Sequence, residues 1–99
     1  MSMSYIKVAW KHSFSNEPVL FFSELDDGRW EKRKVIAFRD GRVGYASAEG
    51  EFGGAILGEV AVPPLVEIAS DPQFEPTEIT REEFERVWAE REGRLSPDR

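Results

Sequence analysis

The chain has 99 residues, with thirteen Lys and Arg against nineteen Asp and Glu, a formal net charge of −6, and no cysteine. A chain of this length supports one domain, and the missing thiols exclude disulfides, thiolate metal sites and thiol catalysis together. Three Trp, seven Phe and two Tyr supply a core, since each large aromatic buries about 150–250 Å².

The charge is uneven along the chain. Residues 1–47 hold eight basic and six acidic side chains, a net of +2, whereas residues 48–99 hold five and thirteen, a net of −8. An acidic half repels nucleic acid and steers a basic partner, although solubility alone also explains it. The opening Met1-Ser2-Met3-Ser4-Tyr5 has no basic stretch leading into an apolar one, and no apolar run nears the ~18 residues of a membrane span. The expected location is cytoplasmic, with no membrane association.

In chain order, residues 5–11 alternate, placing Ile6, Val8 and Trp10 on one face and Lys7 and Lys11 on the other, which predicts a half-buried strand. His12 opens a polar loop interrupted by Phe14. Pro18 then leads into residues 19–25, continuous enough in apolar character for a central strand, and Asp26-Asp27-Gly28 supplies turn chemistry.

A third strand is expected over residues 29–38. Strict alternation would put Lys32 and Lys34 on the face of Trp30, Ile36 and Phe38, so those stems emerge at a sheet edge or a bulge shifts the register; the pattern favours a bulge near Arg33. Arg39-Asp40-Gly41-Arg42 is the clearest hairpin signal, followed by a short fourth strand over residues 43–47. Residues 48–58 contain four of the eight glycines and predict a mobile loop with a short fifth strand at 55–58.

Pro63-Pro64 opens a short helix ending at Ser70, before Asp71-Pro72. Residues 74–79 look extended, with Pro76 confining them to an edge or a non-strand connection. Thr80-Arg81-Glu82-Glu83 is a capping box for a helix over 81–91, whose Phe84, Val87 and Trp88 face the sheet while Glu82/Arg86 and Arg86/Glu90 pair outside. Gly93 is the expected stop, and 94–99 a flexible tail. The fold class is therefore α+β, in one domain over residues 1–93. It is a four- to five-stranded antiparallel meander with one short helix and a C-terminal amphipathic helix packed on one face.

No reaction signature accompanies this architecture. His12 is the single imidazole, and Glu24, Asp26 and Asp27 lack the ligand spacing of a calcium loop. Glu24 and Glu31 could form an acid–base pair, but Arg29, Arg33 and Lys34 stand ready to neutralise them across the meander. The glycine-rich stretch 50–58 lacks the Lys-Ser/Thr of a phosphate loop and carries glutamates that repel phosphate. The basic run from Arg29 to Arg42, interleaved with Trp30, Phe38 and Tyr45, has the residue mix of a single-strand nucleic-acid platform, diluted by Glu31 and Asp40; nucleic acid is disfavoured.

Residues 17–46, above all Ser23-Glu-Leu-Asp-Asp-Gly-Arg-Trp-Glu-Lys-Arg-Lys-Val35, together with residues 63–88, resemble a small bacterial family catalogued as a domain of unknown function. The resemblance implies a bacterial source and brings no reaction, cofactor or site residue. In size and charge the chain is also similar to immunity proteins, by analogy only.

The expectation is a non-enzymatic protein-binding module without metal or cofactor, meeting a basic partner through Glu82, Glu85 and Glu90 on the last helix. One alternative is a structural homodimer joined at a sheet edge or through uncovered aromatics. The other is a small-ligand or enzyme site near His12, Glu24, Asp26 and Arg33.

Overall fold

The computed structural model describes residues 2–91; the expected Gly93 stop and the tail at 94–99 lie outside the described residues. Six strands and two helices follow in the order β1 (Ser4–Trp10), β2 (Pro18–Leu25), β3 (Glu31–Phe38), β4 (Val43–Ser47), β5 (Gly50–Phe52), α1 (Leu65–Ile68), β6 (Phe74–Glu78) and α2 (Arg81–Glu90). They form one antiparallel sheet ordered β5-β4-β3-β2-β1-β6.

The meander is as its turns predict, but six strands replace the expected four or five because both edges gain one. At one edge the fifth strand lies at Gly50–Phe52, not at 55–58. Gly53 and Gly54, at φ of 67° and 90°, turn the chain off the edge, so Ala55 packs under the sheet with Ile36 and Ala46. At the other edge β6 pairs only with β1, where the missing N–H of Pro76 is tolerated.

The bulge is real. Glu24 pairs with Arg33 and Leu25 with Glu31, so Lys32 is the extra residue on β3. Alternation on β3 then puts Arg33 and Val35 on one face and Lys34 and Ile36 on the other, and the bulge adds Glu31 to the face of Lys34. Two turns frame this strand. Gly41, at φ 97°, closes the Phe38–Arg42 hairpin. In the turn before β3 the left-handed position falls on Arg29 (φ 68°) instead of Gly28, with the Asp26 carboxylate accepting from the Gly28 and Trp30 amides at 3.0 and 2.9 Å.

The helices cover opposite faces, not one. α2 begins at Thr80, whose hydroxyl accepts from the Glu83 amide at 3.0 Å, and it lays Phe84, Val87 and Trp88 over Tyr5, Val35, Val43 and Tyr45. Phe84 is completely buried, worth about 2–3 kcal/mol of burial. The expected Glu82/Arg86 and Arg86/Glu90 pairs do not form among the described residues; Arg81 and Glu85 approach at 3.9 Å. The other face is crossed from the β5 edge to the β6 edge by residues 53–73, a strap whose regular structure is the single turn α1.

Candidate functional site

The period of two in β2 and β3 builds two polar clusters back to back. On the α2 face, Glu24 and Arg33 are directly opposite one another. The guanidinium clasps Glu24 through Nε–Oε1 at 2.7 Å and Nη2–Oε2 at 2.8 Å, and reaches Glu85 of α2 at 2.7 Å. The Tyr5 hydroxyl donates to Glu24 Oε2 at 3.1 Å. Arg33 also lies 5.0 Å from the Phe84 ring centroid and 5.1 Å from that of Trp88.

These contacts set the local acidity. The hydrogen bonds from Arg33 hold both Glu24 and Glu85 below the usual carboxylate range, against the opposing effect of burial. Burial first, and then the bond to Glu24, push the Tyr5 phenol up; the carboxylates push the Arg33 guanidinium up. Glu24 is thus an ionised anchor with its lone pairs engaged, the reverse of a carboxyl tuned to carry a proton.

The single pocket expected around His12, Glu24, Asp26 and Arg33 is not formed. His12 follows β1 at the end where Pro18 starts β2: its Nε2 meets the Pro18 carbonyl at 2.9 Å, its Nδ1 accepts from the Phe14 amide at 2.9 Å, and its ring lies 4.2 Å from Trp10. Six residues of extended β2 separate Pro18 from Glu24, about 20 Å at the rise of a strand. Asp26 is engaged in its own turn. Of the four, only Glu24 and Arg33 are brought together, and they tie the helix to the sheet.

The second cluster, on the strap face, joins Ser23, Glu31 and Lys34. Glu31 accepts from the Ser23 hydroxyl at 3.1 Å, from Lys34 at 3.0 Å and from the Gly58 amide at 2.7 Å. Lys34 also donates to the Ile56 carbonyl at 3.1 Å, and Arg29 donates to the carbonyls of Val62 and Pro63 at 2.8 Å each. Under the strap a cavity of about 200 Å³ opens beside this cluster and another of about 360 Å³ lies toward Trp10 and Phe38. Cross-strand neutralisation of Glu24 by Arg33 was legible from the cations near it, whereas Glu31 is met by Lys34 of its own strand and not across the meander. The strap cavities were not legible, because nothing local in residues 53–73 marks them.

The three glutamates expected to meet a partner are not equivalent. Glu82 and Glu90 are exposed and make no ion pair among the described residues, whereas Glu85 is half-buried and held by Arg33. The basic run divides: Arg33 lies under α2, Lys34 under the strap, Arg39 donates to the carbonyls of His12 and Phe14, and Arg42 pairs with Asp40 at 2.9 Å. Among the described residues no group of three or more His, Asp or Glu side chains is placed to hold a metal ion, and no helix is long and apolar enough to cross a membrane.

Comparison with curated proteins and with solved structures gives no match. A family profile covers both clusters, the strap and α2, matching residues 4–93 under the description "Domain of unknown function (DUF6881)", and the chain belongs to that family.

Proposed function

We propose that this protein is a non-enzymatic binding module whose acidic surface receives a basic protein partner. One observation carries the reading: the cations of the described chain are largely engaged internally, whereas many of its carboxylates are not. Lys11, Arg33, Lys34 and Arg42 are in ion pairs, and Arg29 and Arg39 bind backbone carbonyls. Arg91 stacks 3.9 Å over Trp88. Arg81 approaches Glu85 at 3.9 Å, and Lys7, Lys32 and Arg86 are left. Against them Glu51, Glu59, Glu67, Glu78, Glu82 and Glu90 are exposed without an ion pair among the described residues. An outward field of this sign speeds encounter with a basic surface and opposes a phosphate backbone.

Edge-to-edge homodimerisation is the weaker reading. β6 carries Pro76 between Glu75 and Thr77, with Glu78 beyond, and β5 has three residues; proline, charge and shortness are the features that block strand addition.

The test is a titration of the labelled protein with a Lys/Arg-rich decapeptide, followed by amide shifts. Saturable shifts around Glu78, Glu82 and Glu90 are expected, lost at about 1 M salt, where the Debye length is about 3 Å, and lost in Glu82→Lys/Glu90→Lys. Scattered or absent shifts, or shifts that the double charge reversal leaves unchanged, would overturn the reading.

A further inference from the structure

Both faces of the sheet hold a cleft, one of about 250 Å³ beside Phe22, Val43 and Val87 on the α2 face and one of about 200 Å³ under the strap, and the second has a defined chemistry. The cavity of about 200 Å³ is walled by Ile6, Val8 and Phe21 from the sheet, Phe74 from β6, and Val62 and Ile68 from the strap. About 150 Å³ of apolar space accommodates a benzene-sized molecule, and this cleft, open to solvent on one side, offers about 200 Å³. One end is polar, where Ser23, Glu31 and Lys34 line the same space. Lys34 and Phe21 also line the neighbouring cavity, so the ammonium stands at the junction of the two.

The Lys34 ammonium has three hydrogens to donate. Two acceptors meet it, Glu31 Oε1 at 3.0 Å and the Ile56 carbonyl at 3.1 Å, with the Phe21 ring centroid 6.0 Å away; no third acceptor is found among the described residues. A guest can therefore take one hydrogen bond. The guest's charge is also constrained: Glu31 is 7% exposed, so an incoming carboxylate would be set against a buried like charge, whereas a neutral carbonyl or ring nitrogen would not.

We infer that the cleft between the sheet and residues 53–73 binds a small, neutral aromatic molecule carrying one hydrogen-bond acceptor, its ring among Ile6, Val8, Phe21, Val62, Ile68 and Phe74 and its acceptor on Lys34. The site shares no residue with the acidic surface, whose Glu51, Glu59, Glu67, Glu78, Glu82 and Glu90 are exposed and do not line the cleft.

Three probes of similar size test it: acetophenone, toluene and benzoate, each titrated into the full chain while amide and methyl shifts are recorded. Saturable shifts are expected at Ile6, Val8 and Ile68, with acetophenone bound about two- to tenfold more tightly than toluene, the factor that one net hydrogen bond supplies, and benzoate more weakly than either. Ile68→Trp should fill the cavity and abolish binding; Val62→Trp does the same from the other end of the strap should the first variant fail to fold. No saturable shift with any probe, shifts that map elsewhere, or binding unchanged in a folded filled variant would overturn the site. Toluene equal to acetophenone, or benzoate the tightest, would overturn the ligand class.

Discussion

The two faces of this sheet receive their covers by the same device and to different effect. Ser23 and Glu24 are neighbours on β2 and Arg33 and Lys34 neighbours on β3, so alternation sends one ionic set to each side. On one side Glu24 and Arg33 reach Glu85 and hold a ten-residue helix. On the other, Glu31 and Lys34 reach the backbone of Gly58 and Ile56 and hold a strap. The helix side adds close-packed aromatics, with Tyr5 and Phe84 at 5.5 Å and Tyr45 and Trp88 at 6.0 Å between centroids. Clefts remain on both sides, beside Val43 and Val87 under the helix and beside Val62 and Ile68 under the strap, but the strap is held by polar latches where the helix adds packed aromatics. An ion pair fixes where a cover attaches; apolar burial determines how tightly the covered layer is filled.

The largest expected effect breaks the packed side. Phe84→Ala should cost about 3–5 kcal/mol, because Phe84 is fully buried. Ile68→Ala, on the strap side where this residue is only partly buried, should cost about 1–2 kcal/mol. Urea unfolding of both variants measures the gap, and equal losses would mean that the two covers are equally packed.

The ionic sets give the next test. Arg33→Met leaves Glu24, 11% exposed, without its cation and should cost about 3 kcal/mol or more. Lys34→Met leaves Glu31 its bonds from Ser23 and Gly58, so about 1–3 kcal/mol is expected. Acid separates the sets further. Glu24 and Glu85 titrate below the ordinary value of 4.5 in the folded chain, so their contribution is complete above that value and is lost as the pH falls through their depressed values. Melting temperature should therefore decline on acidification from about pH 4.5, and Glu24→Gln should flatten the decline. An unaltered slope in that variant would show that the helix-side cluster does not carry the acid sensitivity.

What could be read in the residues follows the same division. The Asp40-Gly41 hairpin, the Thr80 cap, the Phe84/Val87/Trp88 stripe and the bulge beside Arg33 are local or periodic, and all are found. The strap has no period. It is fixed by Arg29 to Val62, Glu31 to Gly58 and Lys34 to Ile56, each a side chain bonded to backbone more than twenty residues away, which no local pattern encodes. Glu85 shows the same limit: helical spacing marks it as outward from the Phe84 stripe, and only the sheet's placement of Arg33 brings a guanidinium within reach of its carboxylate.

The smallest expected effect on stability is also the sharpest probe of the strap. Arg29 takes a left-handed φ of 68°, and its guanidinium grips two strap carbonyls. Glycine at this position relieves about 1 kcal/mol of backbone strain, while two partly exposed hydrogen bonds worth about 1 kcal/mol each are lost. Global stability of Arg29→Gly should fall by no more than about 1 kcal/mol. The Val62 amide, which donates to the Arg29 carbonyl at 2.8 Å, should nevertheless exchange several-fold faster, because local opening of the strap no longer has to break the arginine fork. Arg29→Lys keeps the strained φ and loses the fork, so it should show the same faster exchange together with a larger global loss than the glycine variant. Unchanged exchange at Val62 in both would mean that packing of Val62 and Ile68, not the polar latch, holds the strap down.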